Sequence, residues 1–371
     1  MSSSPVSSPV PAQPYGRPPL RTVHVLGAGA GAGSSAHVRS LATGLAARGV
    51  RVTVCAPVAA EGEYDFTGAG ARFEPDAASA LRAACAAADV VHAHGVRAGM
   101  RAALALRGRR VPLVVSWHGD GPAAGALGRL SRLLERHVAR AAAVVLGASS
   151  NQVDLARLRG ARDARLAPVA VPRAPEGPEP ADPGKVRADL GAVGRPLLIA
   201  VGSLVPHRGY SVLLDAARAW RALEPAPLLV IAGEGPLRAE LSRRIEAEGL
   251  PVRLLGRRRD AAHLMAAADV AVLPSRWEGR APLAQEALRA GVPLVATSVG
   301  GVPELVGEGA ALVPYGDPAA LADAVAELLR DGARRAALAE AGRAQAATWP
   351  SEDDTVAQVL SVYDELVERG R

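Results

Sequence analysis

The stretch Trp277–Leu288 reads WEGRAPLAQEAL. Glu278 and Glu286 stand eight positions apart, the second inside an alanine- and leucine-rich run with the composition of a buried helix. On one continuous helix that spacing would put the carboxylates about 12 Å and about 80° apart. Gly279 and Pro282 argue against a continuous helix. Proline suits the first helical position, where its missing N–H costs nothing, so the pattern predicts a helix starting at Pro282. Glu278 then lies in the loop after the apolar strand VAVLPS, and Glu286 on the second turn. Ala281 falls at the N-cap and has no side-chain oxygen to offer, which leaves first-turn amides such as Leu283 and Ala284 for a ligand oxygen. Two carboxylates flanking free amides suit a guest with paired hydroxyls, a sugar or a ribose. The alternative is that Glu286 pairs with an arginine such as Arg289 and Glu278 is solvated.

Outward from this stretch, strand-length apolar runs alternate with helix-length segments. TVHVLG, RVTVCAP, DVVHAHG, PLVVSWHG and AAVVLGAS form a first set; PLLIAVG, APLLVIAG, VRLLG, DVAVLPS, VPLVAT and ALVPY form a second. Such nearly uniform apolar runs are what parallel strands covered on both faces require, and the alternation is βαβ wiring. The Pro-, Gly- and acid-rich stretch VPRAPEGPEPADPGK, Val171 to Lys185, separates the sets. The reading is a disordered Ser/Pro tail over 1–20, a doubly wound domain over 21–172, a linker over 173–190, a second doubly wound domain over 191–348, and a final helix over 349–371 set off by Trp349-Pro350.

A chain of 371 residues favours two domains over one core. The net charge of +6 suits anionic ligands. Two Phe and five Tyr are too few for a nucleic-acid stacking surface. Cys55 and Cys85 read as buried free thiols in a reducing compartment. The N-terminus lacks a signal peptide's basic and apolar regions and no run has membrane-span length, so a cytoplasmic protein is expected. Arg129, Arg132, Arg136 and Arg140 line one side of a helix. That side is either a solvated face or a peripheral contact with the anionic inner face of a membrane.

The loop GAGAGAGSS, Gly27 to Ser35, follows a strand and precedes a helix, a place where backbone amides meet phosphates. A nicotinamide dinucleotide would also need an acid at the end of the next strand. That strand ends Cys55-Ala56-Pro57, so the dehydrogenase reading fails. A plain turn with Ser34 or Ser35 as helix cap is the alternative.

EGRAPLAQE resembles the Glu-x7-Glu motif of GT-B glycosyltransferases of the GT4 type. The similarity extends through ADVAVLPSRWEG before it and ALRAGVPLVATSVGGVPELV after it. It also takes in VGSLVPHRGYSVLLDA, GSSAHVRSLATGLAARGVRVTVCAP, VVSWHG and TWPSEDDTVAQVLSVYDEL. The resemblance implies a GT-B architecture: two Rossmann-like doubly wound parallel-sheet domains with an interdomain cleft, the last helix crossing back to the first domain. It implies transfer of a hexose-type sugar from a nucleotide-sugar, UDP- or GDP-linked, to a lipid, glycan or small-metabolite acceptor. Anomeric configuration would be retained, with no metal and no other cofactor. By the same resemblance Glu286 holds the ribose, Glu278 and His118 face the transferred sugar as the catalytic residues, and Gly279, Arg280, Ala281 and Leu283 line sugar and diphosphate. Gly33 and Gly202 approach the phosphates, and Arg208 neutralises them. Ser203 departs from the pattern, because the family usually has a basic residue there; Arg257, Arg258 and Arg259 are candidates to compensate. Pro282 removes an amide that some members use. Ser203 also keeps a non-catalytic sugar- or partner-binding protein in view, and a sugar-nucleotide epimerase is a further alternative.

Overall fold

The computed structural model describes residues 18–27, 32–117, 125–170, 182–258, 260–279 and 281–370. Among them, two parallel sheets form the centres of two α/β domains. The first sheet contains β1 (Arg21–Leu26), β2 (Arg51–Ala56), β3 (Arg72–Pro75), β4 (Val90–His94), β5 (Leu113–Trp117), β6 (Val144–Gly147) and β7 (Ala164–Leu166), in the order β3-β2-β1-β4-β5-β6-β7. The second contains β8 (Leu197–Val201), β9 (Leu228–Ala232), β10 (Val252–Gly256), β11 (Val270–Leu273), β12 (Leu294–Thr297) and β13 (Ala310–Val313), in the order β10-β9-β8-β11-β12-β13. Each order reverses direction once, between β1 and β4 and between β8 and β11. The crevice outside the carboxyl ends of such strand pairs is where open α/β sheets bind ligands.

The helices of the first domain are α1 (Ala32–Ala47), α2 (Val58–Tyr64), α3 (Ala78–Ala86), α4 (Val96–Ala105), α5 (Gly125–Ala141) and α6 (Ser150–Leu158). The second domain has α7 (Pro183–Asp189), α8 (Tyr210–Trp220), α9 (Arg238–Glu248), α10 (Ala261–Ala266), α11 (Pro282–Ala290), α12 (Val302–Val306), α13 (Pro318–Arg330) and α14 (Gly332–Ala347). The chain ends in α15 (Glu352–Arg369). No helix among the described residues is long and apolar enough to cross a membrane.

Helices cover both faces of each sheet, so the inner strands are buried throughout, as in β4, β5 and β9. The edge strands β3 and β7 carry no such run, and the sequence pattern does not reveal them; β7 has three residues, with Arg165 at its centre. The reading of 173–190 as linker also needs adjustment at its end. Residues 183–189 form α7, capped by Asp182 accepting from Gly184 N, and Val186 packs against the core of the second domain. Ser34 and Ser35 lie within α1 and are not its caps.

The chain returns to the first domain between Trp349 and Ser351. Trp349 Nε1 still donates to Leu305 O of the second domain at 3.1 Å. Ser351 then starts α15 with a capping box to Asp354. Val356, Val359, Val362, Tyr363 and Leu366 of α15 join Leu41, Ala42 and Leu45 of α1 in the core of the first domain. Gly44 permits that approach: a Cβ there would fall 2.5 Å from Val356 Cγ2. Cys55 and Cys85 are buried free thiols, as expected, and burial pushes them up to about 12 and about 11.

Candidate functional site

At the switch point of the second sheet, the loop after β8 meets the loop after β11. Gly202 and Ser203 follow β8, and a single 3-10 turn, Pro206–Arg208, leads to Gly209. Gly209 has φ +72°, and a Cβ on it would lie 1.8 Å from Pro274 O, so only glycine lets this turn press on the end of β11. Arg276 N donates to His207 O at 2.8 Å and ties the two loops together. The result carries Arg208 onto Glu278. Arg208 Nη1 donates to Glu278 Oε1, and Ser275 Oγ donates to the same oxygen at 2.7 Å. Glu278 is 6% exposed, which excludes the solvated reading. Arg208 Nε is buried without a partner among the described residues.

The helix predicted from Pro282 starts there, with Ala281 as an N-cap that makes no side-chain hydrogen bond. The first hydrogen bond of the helix runs from Gln285 N to Ala281 O at 3.2 Å, so the amides of Leu283 and Ala284 precede it, where the helix dipole favours an anion. Leu283 is buried against the core. Glu286, one turn on, makes no hydrogen bond or ion pair among the described residues, Arg289 included. Burial holds its carboxyl above the usual carboxylate range, opposed by the charge of Arg289. The loop before α11 is seated by Gly300 and Gly301. Gly301 N donates to Glu278 O at 2.9 Å, and a Cβ on Gly301 would meet Gly279 O at 2.2 Å.

The first domain faces this site. A Cβ on Gly33, in the first turn of α1, would stand 3.8 Å from Pro282 Cγ, so the starts of α1 and α11 approach each other. Ser150 N, at the start of α6, donates to Glu304 Oε2 at 2.8 Å, and Arg257 pairs with Glu63 at 3.2 Å. Each of these groups lies beyond the carboxyl end of a strand, so the two sheets meet across a cleft by those edges.

Gly33, Gly202, Ser203, Arg208, Glu278, Gly279, Ala281, Leu283 and Glu286 lie in loops after strands or in the first turns of the helices that follow, with Ala281 and Leu283 packed into the core of the second domain. His118, Arg280 and Arg259 lie outside the described residues. Ser203 is exposed, and Arg257 and Arg258, the expected candidates to compensate for it, are paired with Glu63 and Asp260.

The sequence reading missed a buried polar layer in the first domain. His24 and His92 are direct neighbours in the β1–β4 register, and His94 shares the face of His92. His92 Nδ1 lies 2.6 Å from Tyr363 Oη of α15, His92 Nε2 lies 2.7 Å from Ser116 Oγ, and His24 Nδ1 lies 3.1 Å from His94 Nε2. These three histidines are the one grouping among the described residues with metal-ligand spacing. Both nitrogens of His92 are already committed to hydroxyls, which favours a hydrogen-bonded layer. Burial drives His24 down to about 4, so it is neutral near pH 7. The signal was the His-x-His spacing in VVHAHG, together with His24 within VHVLG.

Residues 185–345 match the family model of glycosyl transferases group 1, and residues 32–172 match that of the glycosyl transferase 4-like domain. The chain is 31% identical over 308 residues to D-inositol 3-phosphate glycosyltransferase 1 of Catenulispora acidiphila, covering 76% of this chain and 73% of that one. It is 36% identical over 185 residues to a GDP-mannose-dependent monoacylated alpha-(1-6)-phosphatidylinositol monomannoside mannosyltransferase of Corynebacterium glutamicum. That match covers 47% of this chain and about half (49%) of the relative's length. The crystal structure of Anabaena Alr3699/HepE in complex with UDP and glucose shares the fold, with a TM-score of 0.80 at 21% identity over 93% of this chain and 100% of that one.

Proposed function

This chain belongs to the GT4-type glycosyltransferases of GT-B fold, and we propose that it moves a hexose from a UDP- or GDP-sugar to an inositol-type acceptor with retention of anomeric configuration. The observation that carries this reading is the uncapped start of α11, set between Glu286 and the Arg208–Glu278 pair at the switch point. Glu286 would accept hydrogen bonds from two ribose hydroxyls. Arg208 and the amides of Leu283 and Ala284 would hold the diphosphate. Glu278 Oε1 already takes two donors, which leaves Oε2 for a sugar hydroxyl. In the reaction the bond from the anomeric carbon to the diphosphate oxygen breaks, and a bond to the acceptor oxygen forms on the same face. The acceptor's proton leaves on the departing phosphate. Charge grows on that phosphate, so fixed cations and amides placed there lower the barrier.

The inositol-type acceptor rests on the names of the two relatives, one an inositol 3-phosphate glycosyltransferase and one a phosphatidylinositol monomannoside mannosyltransferase. Thermal-shift titration with UDP, GDP, ADP and their sugar conjugates tests the donor site. A ligand that binds the folded chain alone raises the melting temperature by mass action. A shift with one nucleotide that Glu286→Ala abolishes supports the reading. Ser203 favours a second reading, a sugar-binding member without turnover. A donor-induced shift without any transfer to inositol, inositol phosphate or phosphatidylinositol would support that one.

A further inference from the structure

We infer that the outer face of α5 is a docking surface for an anionic lipid bilayer. Val138 and Ala139 of α5 are buried in the core under β5. Arg129, Leu130, Arg132, Leu133, Arg136, His137 and Arg140 are exposed. At 100° per residue these seven positions fall on an arc of about 160° opposite Val138. None of the four arginines has an acidic partner among the described residues. The one carboxylate within the described part of the helix, Glu135, is taken by Arg159 at 2.6 Å and by Ser131 Oγ at 2.9 Å. Every charged side chain on this face is therefore cationic.

Charge alone would fit a solvated surface. The leucines decide against it: Leu130 is 54% exposed and Leu133 61% exposed, both among the cations. Apolar side chains interleaved with cations match the boundary between lipid headgroups and acyl chains. Arg136 and Arg140 lie one turn apart on this face. Two guanidinium groups at that spacing suit a phosphate-bearing headgroup. The use of arginine over lysine carries no weight, because the chain has a single lysine. Helices in this wiring run antiparallel to their strands, so the Arg129 end of α5 lies at the sheet edge that borders the cleft. Docking by this face would set the cleft beside the bilayer. The inference stands apart from the donor-site reading; only its use, presenting a lipid acceptor, rests on that reading.

The test is sedimentation of the full chain with phosphatidylglycerol/phosphatidylcholine vesicles and with pure phosphatidylcholine vesicles, at low and high salt. Binding is expected with the anionic vesicles only, and salt weakens it by screening. The double variant Arg132→Glu/Arg136→Glu should bind at least about tenfold more weakly, since each basic side chain near such a surface contributes comparably. Leu130→Ser/Leu133→Ser should bind more weakly while keeping the salt dependence. Both variants lie on an exposed face, so their melting temperature and nucleotide-induced thermal shift should match wild type, which separates lost docking from lost folding or lost donor binding. No sedimentation with anionic vesicles at low salt overturns the inference. Equal binding to neutral vesicles does the same, as does unchanged binding by the charge-reversed variant.

Discussion

Arg208 and Glu278, seventy residues apart in the chain, form an ion pair at the switch point of the second sheet, and Ser275 completes it on the same carboxylate oxygen. Neither side chain is fully exposed: they retain 25% and 7% of their side-chain accessibility. Each therefore depends on the other for a partner.

Arg208→Ala should leave the Glu278 carboxylate with one hydroxyl partner and destabilise the fold by about 1–3 kcal/mol. It should also weaken nucleotide binding by about ten- to a hundredfold, since a charge-assisted bond is lost. Calorimetric unfolding of the single variants and of Arg208→Ala/Glu278→Ala gives the coupling. A double variant as unstable as the sum of the singles would show that the pair does not interact.

Glu286 is held above the usual carboxylate range by burial. The folded chain then binds that proton more tightly than the unfolded chain. The stability from this group is present at low pH and is lost as pH rises through the raised value. On the proposed function, ribose binding needs the carboxylate and follows the opposite course. Nucleotide affinity should fall as pH drops through the same range, while Glu286→Gln binds weakly with no such pH dependence and is relatively more stable at neutral pH. Isothermal titration across mildly acidic pH checks this; a Glu286→Gln variant with wild-type affinity would remove Glu286 from the site.

Ser203 is exposed where the family pattern has a cation, and Arg257 and Arg258 are held by carboxylates. Ser203→Arg should tighten nucleotide binding by about ten- to a hundredfold, the yield of one charge-assisted bond to phosphate. An unchanged dissociation constant by calorimetry would place Ser203 away from the diphosphate.

His24 is buried and neutral, lowered from 6.5 to about 4 by desolvation. The unfolded chain takes up a proton between those values and the folded chain does not, so stability is full above pH 6.5 and declines as pH falls toward 4. The decline from this group amounts to about 3 kcal/mol at most. Denaturant titrations of His24→Leu at several pH values should show a shallower acid limb. An acid limb as steep as wild type would assign the loss to other groups.

Glu304 joins the domains through the amide of Ser150. Glu304→Ala should let the cleft open, read as a larger radius of gyration in solution scattering that a tightly bound nucleotide-sugar reverses. A radius unchanged from wild type would show that Arg257–Glu63 and the helix contacts suffice to hold the domains together.

Several parts of this site were readable along the chain because their cause is local. Pro282 begins α11 because the proline ring fixes φ at a helical value and needs no amide partner. Ala281 leaves the helix uncapped because it lacks a side-chain oxygen. The burial of Glu278 was not readable, because its partner comes from another strand end. The histidine layer was not readable either: it needs the β1–β4 register and a tyrosine from α15, which arrives after the chain has built the other domain.

The sequence by itself determined two doubly wound domains, the start of α11 and a glutamate on each side of it. Apolar periodicity and backbone restriction act over a few residues and survive in any fold that uses them. Only the tertiary structure decided which cation meets Glu278, that Arg257 and Arg258 are already engaged, and that Gly33 lies against Pro282. Those contacts exist because strand order, set by packing over the whole sheet, brings distant loops to one edge, within the short reach that hydrogen bonds and ion pairs require.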